Sequence, residues 1–192
     1  MPRVIALTGA TGFIGTAVLN RLRSAGFQVR ALYRNTRADK RGSEQLVQWV
    51  PGRLEDPDSL RRLLKGADTI IHCAGAVRGG EWRQFEKVNT DGVARMVHAA
   101  KQMPSSPRFL LLSSLAAREP GLSDYAASKR QGENVLKFVK RGLEWVALRP
   151  PAVYGPGDRE ITPLFRLMYH GVAPQAAPET SRFSMIYVED LA

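Results

Sequence analysis

Tyr125 and Lys129 are the two residues of this sequence whose types and spacing most directly suggest chemistry. Residues four apart on a helix share one face, so the phenol and the ammonium would stand side by side. A neighbouring cation stabilises a phenolate, and the pair therefore predicts a tyrosine whose pKa falls from about 10 toward neutral pH. Such a phenol can act as a general acid and base. The predicted helix comes shortly after the apolar run 109–112, which ends in Ser113 and Ser114.

A second chemical feature is the glycine-rich turn Thr8–Gly15, with glycines at positions 9, 12 and 15. It lies between the apolar run 4–7 and the amphipathic segment 16–22, which gives the order strand, turn, helix. Glycines let the backbone turn sharply and approach a phosphate, while the helix N-terminus offers free N–H groups and the positive end of its dipole. The turn therefore predicts a site for a dinucleotide pyrophosphate, in preference to an ordinary turn.

Residues after two further predicted strands extend this cofactor site. Arg34 follows the second strand, with Arg37 close behind, at a place where NAD sites usually carry an acidic residue for the ribose 2′-hydroxyl. Guanidinium groups bind phosphate through paired hydrogen bonds, so these residues favour NADP and leave NAD open; exposed arginines of a basic region are the alternative. Ala74 and Gly75 follow the fourth strand and are small enough for a cofactor to cross there, although alone they indicate only a strand-to-loop exit.

The elements that must position these residues alternate along the chain. Strands are predicted at Arg3–Thr8, Gln28–Tyr33, Val47–Val50, Asp68–Cys73, Arg108–Ser113, Glu144–Leu148 and Phe183–Val188. Helices are predicted near Gly12–Ala25, Pro57–Leu64, Trp82–Met103 and Tyr125–Lys140, and loops at Arg149–Asp158 and Val172–Pro178. Alternating strands and helices indicate an α/β protein of the Rossmann type, a doubly wound parallel sheet with helices on both faces. Ligands bind beyond the carboxyl ends of such strands, which is where the residues above are found.

Composition and charge narrow the class of protein. The chain has 192 residues, of which 44% are hydrophobic, and this predicts one domain over residues 1–192. No apolar run is long enough for a membrane span. The single cysteine, Cys73, excludes an internal disulfide and fits a reducing cytoplasm, and the three histidines lack metal-ligand spacing. The net charge of +10 could serve an anionic cofactor or nucleic acid, but a solvated basic face is the simpler interpretation.

Taken together, these motifs resemble the extended branch of the short-chain dehydrogenase/reductase superfamily, the NAD(P)-dependent epimerase/dehydratase proteins. Three further stretches strengthen the resemblance, which covers essentially the whole chain. Asn89 matches the asparagine of the branch's central helix. Arg149–Pro156 is similar to the loop after its sixth strand, which touches the nicotinamide, and Phe183–Ala192 is similar to its segment ending Val-Asp-Asp-Val-Ala.

The resemblance implies a reaction in which hydride passes between a nicotinamide and a carbinol or carbonyl carbon of a small hydroxy or keto compound. Tyr125 would then transfer the hydroxyl proton, and Ser114, rather than Ser113, would hydrogen-bond the same oxygen. Lys129 would bind the ribose, and Asn89 would support a water relay. The implied cofactor contacts are Gly9, Thr11, Gly12, Phe13, Ile14, Gly15, Arg34, Arg37, Leu54, Ala74, Gly75, Tyr125, Lys129, Pro150 and Val153.

Two departures from the family's pattern matter. Arg53 replaces the aspartate that family members often carry after the third strand, where it reaches the adenine; Leu54 could still pack against the ring. The family's C-terminal substrate lobe continues well beyond the last motif, whereas this chain stops at Ala192. We therefore expect a fragment that lacks most of that lobe, binds cofactor and turns over poorly.

Several functions remain open at this stage. An active reductase, dehydrogenase or epimerase would act on a nucleotide-sugar, a sterol-like compound or another hydroxy or keto compound. A cofactor-binding sensor or assembly factor of the same fold is the main alternative, but the intact Tyr125 and Lys129 pair favours an enzyme. Nucleic-acid binding is motivated only by the net charge and is not expected. The identity of the substrate and the formation of a homodimer stay open.

Overall fold

Six parallel strands form the central sheet of the molecule. The computed structural model describes residues 3–34, 45–104, 106–139, 142–174, 178 and 180–192. The strands are β1 (Val4–Thr8), β2 (Gln28–Tyr33), β3 (Val47–Pro51), β4 (Thr69–His72), β5 (Arg108–Leu112) and β6 (Trp145–Leu148). Their spatial order is β3-β2-β1-β4-β5-β6, so the chain builds outward from β1 in one direction and then, from β4 on, in the other. This reversal beside β1 is the switch point at which doubly wound sheets bind ligands.

Helices cover the strands. They are α1 (Phe13–Ser24), α2 (Pro57–Leu64), α3 (Trp82–Phe85), α4 (Asp91–Lys101), α5 (Asp124–Lys137), α6 (Thr162–Tyr169) and α7 (Val188–Leu191). A π-helical turn, Glu86–Thr90, joins α3 to α4 without a break. Two 3₁₀ turns, Leu115–Arg118 and Pro120–Leu122, lie between β5 and α5. Within the described ranges, none of the helices has the length and apolar character needed to cross a bilayer.

Successive side chains of the buried strands serve two separate cores. Ala6 of β1 belongs to a cluster with Ile70 and Phe109 that packs under α2, α4 and α5. Its neighbour Leu7 faces the other side of the sheet, where it packs with Val18 of α1. Both faces are therefore covered, which requires strands that are apolar on both sides. The predicted Rossmann-type, doubly wound parallel sheet is confirmed.

The predicted elements differ from the structure mainly after β6. The strands of the central sheet agree with their predictions to within one residue at each end, and the predicted helix Trp82–Met103 appears as the continuous segment 82–101. The predicted loop Arg149–Asp158 is wrong in its middle, because β7 (Ala152–Tyr154) forms there and pairs in parallel with β8 (Met185–Tyr187). The sequence did not predict α6. The helix predicted to reach Lys140 ends at Lys137, and residue 140 itself lies outside the described residues.

Candidate active site

The turn between β1 and α1 contains two glycines that the protein's own packing requires. Gly9 has a φ of +73°, and a Cβ at this position would lie 2.6 Å from the backbone N of Ala74. A Cβ on Gly15 would lie 1.9 Å from the carbonyl oxygen of Gly9. A side chain at either position would therefore push α1 away from the ends of β1 and β4.

Gly12 is exposed and less crowded than Gly9 and Gly15. A Cβ there would meet only the carbonyl oxygen of Gly9, at 3.3 Å. Gly12 begins α1, and no side chain of the described residues caps this helix terminus. Thr11 is exposed beside it, while Phe13 and Ile14 are half-buried. The turn thus leaves the first N–H groups of α1 open toward solvent, and it fits the pyrophosphate of a dinucleotide.

Ser114, Tyr125 and Lys129 come together beyond the end of β5. Ser114 precedes the first 3₁₀ turn and accepts from the backbone N of Ala116, and its side chain lies near enough to Tyr125, in the first turn of α5, to act on the pKa of the phenol. Lys129 lies one turn further along α5, is 8% exposed and donates from Nζ to the carbonyl oxygen of Leu112 at 2.8 Å. The ring of Phe85 meets Tyr125 edge-on, at a centroid distance of 6.3 Å. The structure therefore brings together the three side chains that spacing and resemblance singled out.

The pKa of Tyr125 is raised in this site. Burial favours the neutral phenol and outweighs the hydrogen bond with Ser114, which acts in the opposite direction. The expectation that Lys129 lowers this pKa is wrong for this structure, because the ammonium is bound to the carbonyl of Leu112 instead. A phenol with a raised pKa stays protonated at neutral pH, which is the form that donates a proton.

Burial also acts on the charge of Lys129. Removal of the ammonium from water lowers its pKa to about 8, while the neighbouring Cys73 and Glu133 act in the opposite direction. Gly75, in the loop after β4, approaches the same ammonium: a Cβ there would lie 3.4 Å from Nζ and 3.2 Å from Oδ1 of Asn89. The loop after β4 and the lysine therefore border the same space at the switch point.

Asn89 sits in the π-helical turn and ties three elements together. Its Oδ1 accepts a hydrogen bond from the backbone N of Ala76, and its Nδ2 donates to the carbonyl oxygen of Ala76, both at 2.9 Å. Nδ2 also donates to Oγ of Ser128, at 3.0 Å, and Ser128 in turn donates to the carbonyl oxygen of Tyr125. Both amide hydrogens are thus used to hold the loop after β4 against α5. The water relay predicted for Asn89 stays a prediction.

A buried carboxylate that the sequence analysis did not single out lies one turn beyond Lys129. Glu133 is 2% exposed, accepts from Oγ of Ser113 at 2.6 Å and accepts from Nε of Arg149 at 2.8 Å. Burial raises the pKa of Glu133, but the bonds from Arg149 and Ser113 outweigh burial and hold it below its ordinary value. These contacts occupy Ser113, so Ser114 is the serine beside Tyr125. The sequence did contain a signal for Glu133: Tyr125, Lys129 and Glu133 are spaced four apart and therefore share one face of the helix.

The residues predicted to bind the adenosine half lie at the neighbouring ends of β2 and β3. Arg34 is exposed directly after β2. Leu54, after β3, is half-buried and packs against the core beneath α4, where a Cβ on Gly92 would lie 3.0 Å from its Cδ1. Arg37 lies outside the described residues.

The segment after β6 approaches the site from the other side. Pro150 is buried, and its carbonyl oxygen accepts from the backbone N of Leu115 at 2.8 Å. Val153 lies in β7 and is half-buried. After β7 the chain returns to the glycine turn, since a Cβ on Gly157 would lie 3.7 Å from Cδ2 of Phe13. The segment thus contacts both the Ser114 region and the start of α1.

A doubly wound parallel sheet with an open glycine turn at its switch point, and a Ser–Tyr–Lys cluster beside it, defines a dinucleotide-binding α/β protein. The chain belongs to the NAD dependent epimerase/dehydratase family, which it matches over residues 5–192.

Named relatives support this membership. The chain is 42% identical over 189 residues to a ceramide reductase of Caulobacter vibrioides, covering 98% of this chain and 58% of that protein. It is 26% identical over 219 residues to a UDP-glucose 4-epimerase of Vibrio cholerae, covering 100% of this chain and 65% of that protein. The chain therefore spans less than two thirds of the length of these two relatives.

Solved structures share the same architecture. The enzyme WbmH of Bordetella bronchiseptica, in complex with NAD+, superposes with a TM-score of 0.82 at 21% identity, covering 100% of this chain and 70% of that one. MoeE5, in complex with UDP-glucose and NAD, gives a TM-score of 0.77 at 27% identity, covering 98% of this chain and 69% of that one. Both neighbours carry NAD, in agreement with the dinucleotide site predicted from the glycine turn and with the nicotinamide that the family resemblance implies.

Proposed function

We propose that the protein is an NADP-linked oxidoreductase that reduces a carbonyl group of a small molecule to a hydroxyl, with Tyr125 as the proton donor. The observation that carries this proposal is the cluster of Ser114, Tyr125 and Lys129 beyond the end of β5. The bound nicotinamide cofactor would supply the hydride. Gly12 and its neighbours in the turn would hold the pyrophosphate, where the N-terminus of α1 is open.

The cluster can bind and protonate one substrate oxygen. The hydroxyls of Ser114 and Tyr125 are close enough for Ser114 to lower the pKa of the phenol, so a single oxygen atom placed against them could contact both hydroxyls. Ser114 would stabilise the negative charge that develops on this oxygen, and Tyr125 would give it a proton. Burial lowers the pKa of Lys129 to about 8, so at neutral pH most of the side chain is an ammonium, which could hold the ribose hydroxyls.

The side chains around the cluster favour an apolar substrate over a sugar. The raised pKa of Tyr125 is compatible with a proton donor and does not set the direction of the reaction. Val77, Leu115 and Leu122 are exposed on the loops after β4 and β5 that border the cluster, and such apolar side chains offer a sugar few hydrogen bonds. The relative with 42% identity is a ceramide reductase, so we infer a lipid-like keto compound as the substrate class.

A nucleotide-sugar is the second candidate substrate. MoeE5 at 27% identity binds UDP-glucose, and the relative from Vibrio cholerae is a UDP-glucose 4-epimerase. Turnover of a UDP-sugar, with no reduction of long-chain keto compounds by NADPH or NADH, would favour this candidate and contradict the lipid-like substrate.

The proposed preference for NADP depends on Arg34. This arginine is exposed directly after β2, where a guanidinium can bind the 2′-phosphate of the adenosine ribose in a charge-assisted contact. Stronger binding of NAD+ than of NADP+ by the protein would contradict this part of the proposal.

The central test is Tyr125→Phe. In the full-length protein, loss of the phenolic proton should reduce turnover by roughly 10²–10⁴-fold, because that is the usual contribution of general acid catalysis. Cofactor affinity, measured by calorimetric titration, should stay within a few-fold, because the hydroxyl contributes little to holding the dinucleotide. The matched control is Tyr169→Phe, which removes the same atom from a side chain that is 87% exposed on α6. Near-normal turnover of Tyr125→Phe would show that this residue is not the proton donor.

A further inference from the structure

We propose that Arg53 is a second determinant of cofactor choice and acts with Arg34 on the 2′-phosphate of NADP. This inference rests on the proposed NADP preference and extends it to a residue at which the chain departs from the pattern of the family it resembles. An aspartate at this position would repel a phosphate dianion, whereas an arginine attracts it. The exchange reverses the sign of the local charge.

The sheet places the two arginines beyond the same edge, after neighbouring strands. β2 and β3 are neighbouring parallel strands with Tyr33 aligned to Pro51, and the backbone N of Gly52 donates to the carbonyl oxygen of Tyr33 at 3.0 Å. Arg34 is the first residue after β2 and Arg53 is the second residue after β3, so both follow the carboxyl edge of the sheet. Both are exposed. Adjacent strands are about 4.8 Å apart, and an arginine side chain is longer than this separation, so both guanidinium groups can reach one phosphate.

The acidic residues that follow Arg53 are paired with other cations. Glu55 pairs with Lys87 and Asp56 caps α2, while Asp58 pairs with Arg61. In the part of the chain that the structure describes, the side chains of Arg34 and Arg53 form no hydrogen bond or ion pair. Arg34 and Arg53 therefore place two positive charges at the carboxyl edge of the sheet, and no acidic side chain of the described residues pairs with them. This arrangement favours an anionic ligand.

The backbone of Arg53 is fixed although its side chain is exposed. Oγ of the buried Ser59 donates to the carbonyl oxygen of Arg53 at 2.8 Å and accepts from its backbone N at 3.3 Å. A Cβ on Gly52 would lie 2.1 Å from Cβ of Ser59, so the strand end is pressed against α2. A fixed backbone reduces the conformational entropy that the arginine would lose on binding a phosphate.

The test measures NADP+ and NAD+ affinities of four proteins by calorimetric titration: the wild type, Arg34→Ala, Arg53→Ala and Arg53→Asp. Arg53→Ala should weaken NADP+ binding by about 10-fold, the lower end for a charge-assisted bond, and leave NAD+ within about 2-fold. Arg53→Asp should weaken NADP+ binding further, because it adds a repulsive charge. Arg3→Ala is the matched control, since Arg3 is exposed at the opposite, amino edge of the sheet and its loss should leave the NADP+ to NAD+ ratio unchanged.

The outcomes separate this inference from the proposed function. A preference for NADP+ that Arg34→Ala removes and Arg53→Ala leaves intact would overturn the role of Arg53 alone. Equal affinities of the wild type for both cofactors would overturn the proposed NADP preference and this inference with it. A ratio that falls equally in Arg3→Ala would show a general charge effect and would also overturn it. Circular dichroism of Arg53→Asp checks that the fold is retained.

Discussion

At the scale of single residues, the charge of Lys129 depends on its burial in the fold. Its ammonium is buried against the carbonyl of Leu112, and His72 and Cys73 at the end of β4, with Glu133 on α5, are the titratable groups coupled to it. Burial holds His72 neutral, with a pKa of about 3, and raises the pKa of Cys73 to about 12. Neither group titrates near neutral pH. Among His72, Cys73 and Lys129, the residue that changes its charge nearest to neutral pH is therefore Lys129.

We expect the affinity for NAD+ to fall as the pH rises through about 8, because the ammonium that would bind the ribose loses its proton there. NAD+ is the suitable ligand, since its phosphates do not titrate in this range. Lys129→Met should bind weakly and with little pH dependence. Titrations at about pH 7 and about pH 9 test this, with Lys101→Met on the exposed end of α4 as the control. An affinity of the wild type that is equal at both values would contradict the role of Lys129.

At the scale of elements, the contact between the π-helical turn and α5 organises the site. Gly132 of α5 faces the backbone of Asn89 so closely that a Cβ would lie 2.3 Å from its carbonyl oxygen. Thr90 donates from Oγ1 to the carbonyl oxygen of Ser128 across the same contact. Widened helical turns of this kind are frequent at functional sites because they redirect one residue without ending the helix. Here the redirected residue is Asn89, which holds the loop after β4.

Gly132→Ala should lower the free energy of unfolding by about 1–3 kcal/mol, the usual cost of overpacking, even though alanine is the better helix former. Turnover should fall as well, because displacement of Asn89 loosens the loop at Ala76. Chemical denaturation and steady-state kinetics measure the two effects. Gly121→Ala is the matched control, since Gly121 is exposed and a Cβ there meets nothing within 4 Å. A Gly132→Ala protein as stable as the wild type would show that the two helices are not held this closely.

At the scale of the whole molecule, the net charge of +10 acts together with the arginines at the strand ends. A dinucleotide is polyanionic, so the field of the protein should attract it, and NADP carries one more phosphate than NAD. Exposed charges are screened within about 10 Å at 0.1 M salt, which limits this attraction to low ionic strength.

The preference for NADP+ over NAD+ should therefore shrink with added salt. Titration with both cofactors at about 0.05 M and about 0.5 M sodium chloride measures it, and Arg34→Ala should show a flatter dependence than the wild type. A preference that is insensitive to salt would instead indicate that the 2′-phosphate is held in a buried pocket.

The elements that the sequence predicted well are those whose signal is local. The six strands of the central sheet are short apolar runs, the glycine turn is one continuous stretch, and Tyr125 and Lys129 are one helical turn apart. β7 has no such signal: Ala152–Tyr154 lies between prolines and glycines, and it becomes a strand only by pairing with Met185–Tyr187, distant in sequence. Pairing of this kind is a property of the folded chain.

The sequence by itself determined the class of fold, the cofactor turn and the identity of the Ser–Tyr–Lys side chains, because residue types and spacing carry that information. Only the tertiary structure decided their chemical state. Burial raises the pKa of Tyr125, which the spacing predicted to fall. Ser113 donates a hydrogen bond to Glu133, so Ser114 is the serine beside the phenol. The side chain of Asn89 hydrogen-bonds with Ala76 and Ser128. Burial and long-range contacts set a pKa and select a partner, and both arise only when distant parts of the chain have come together.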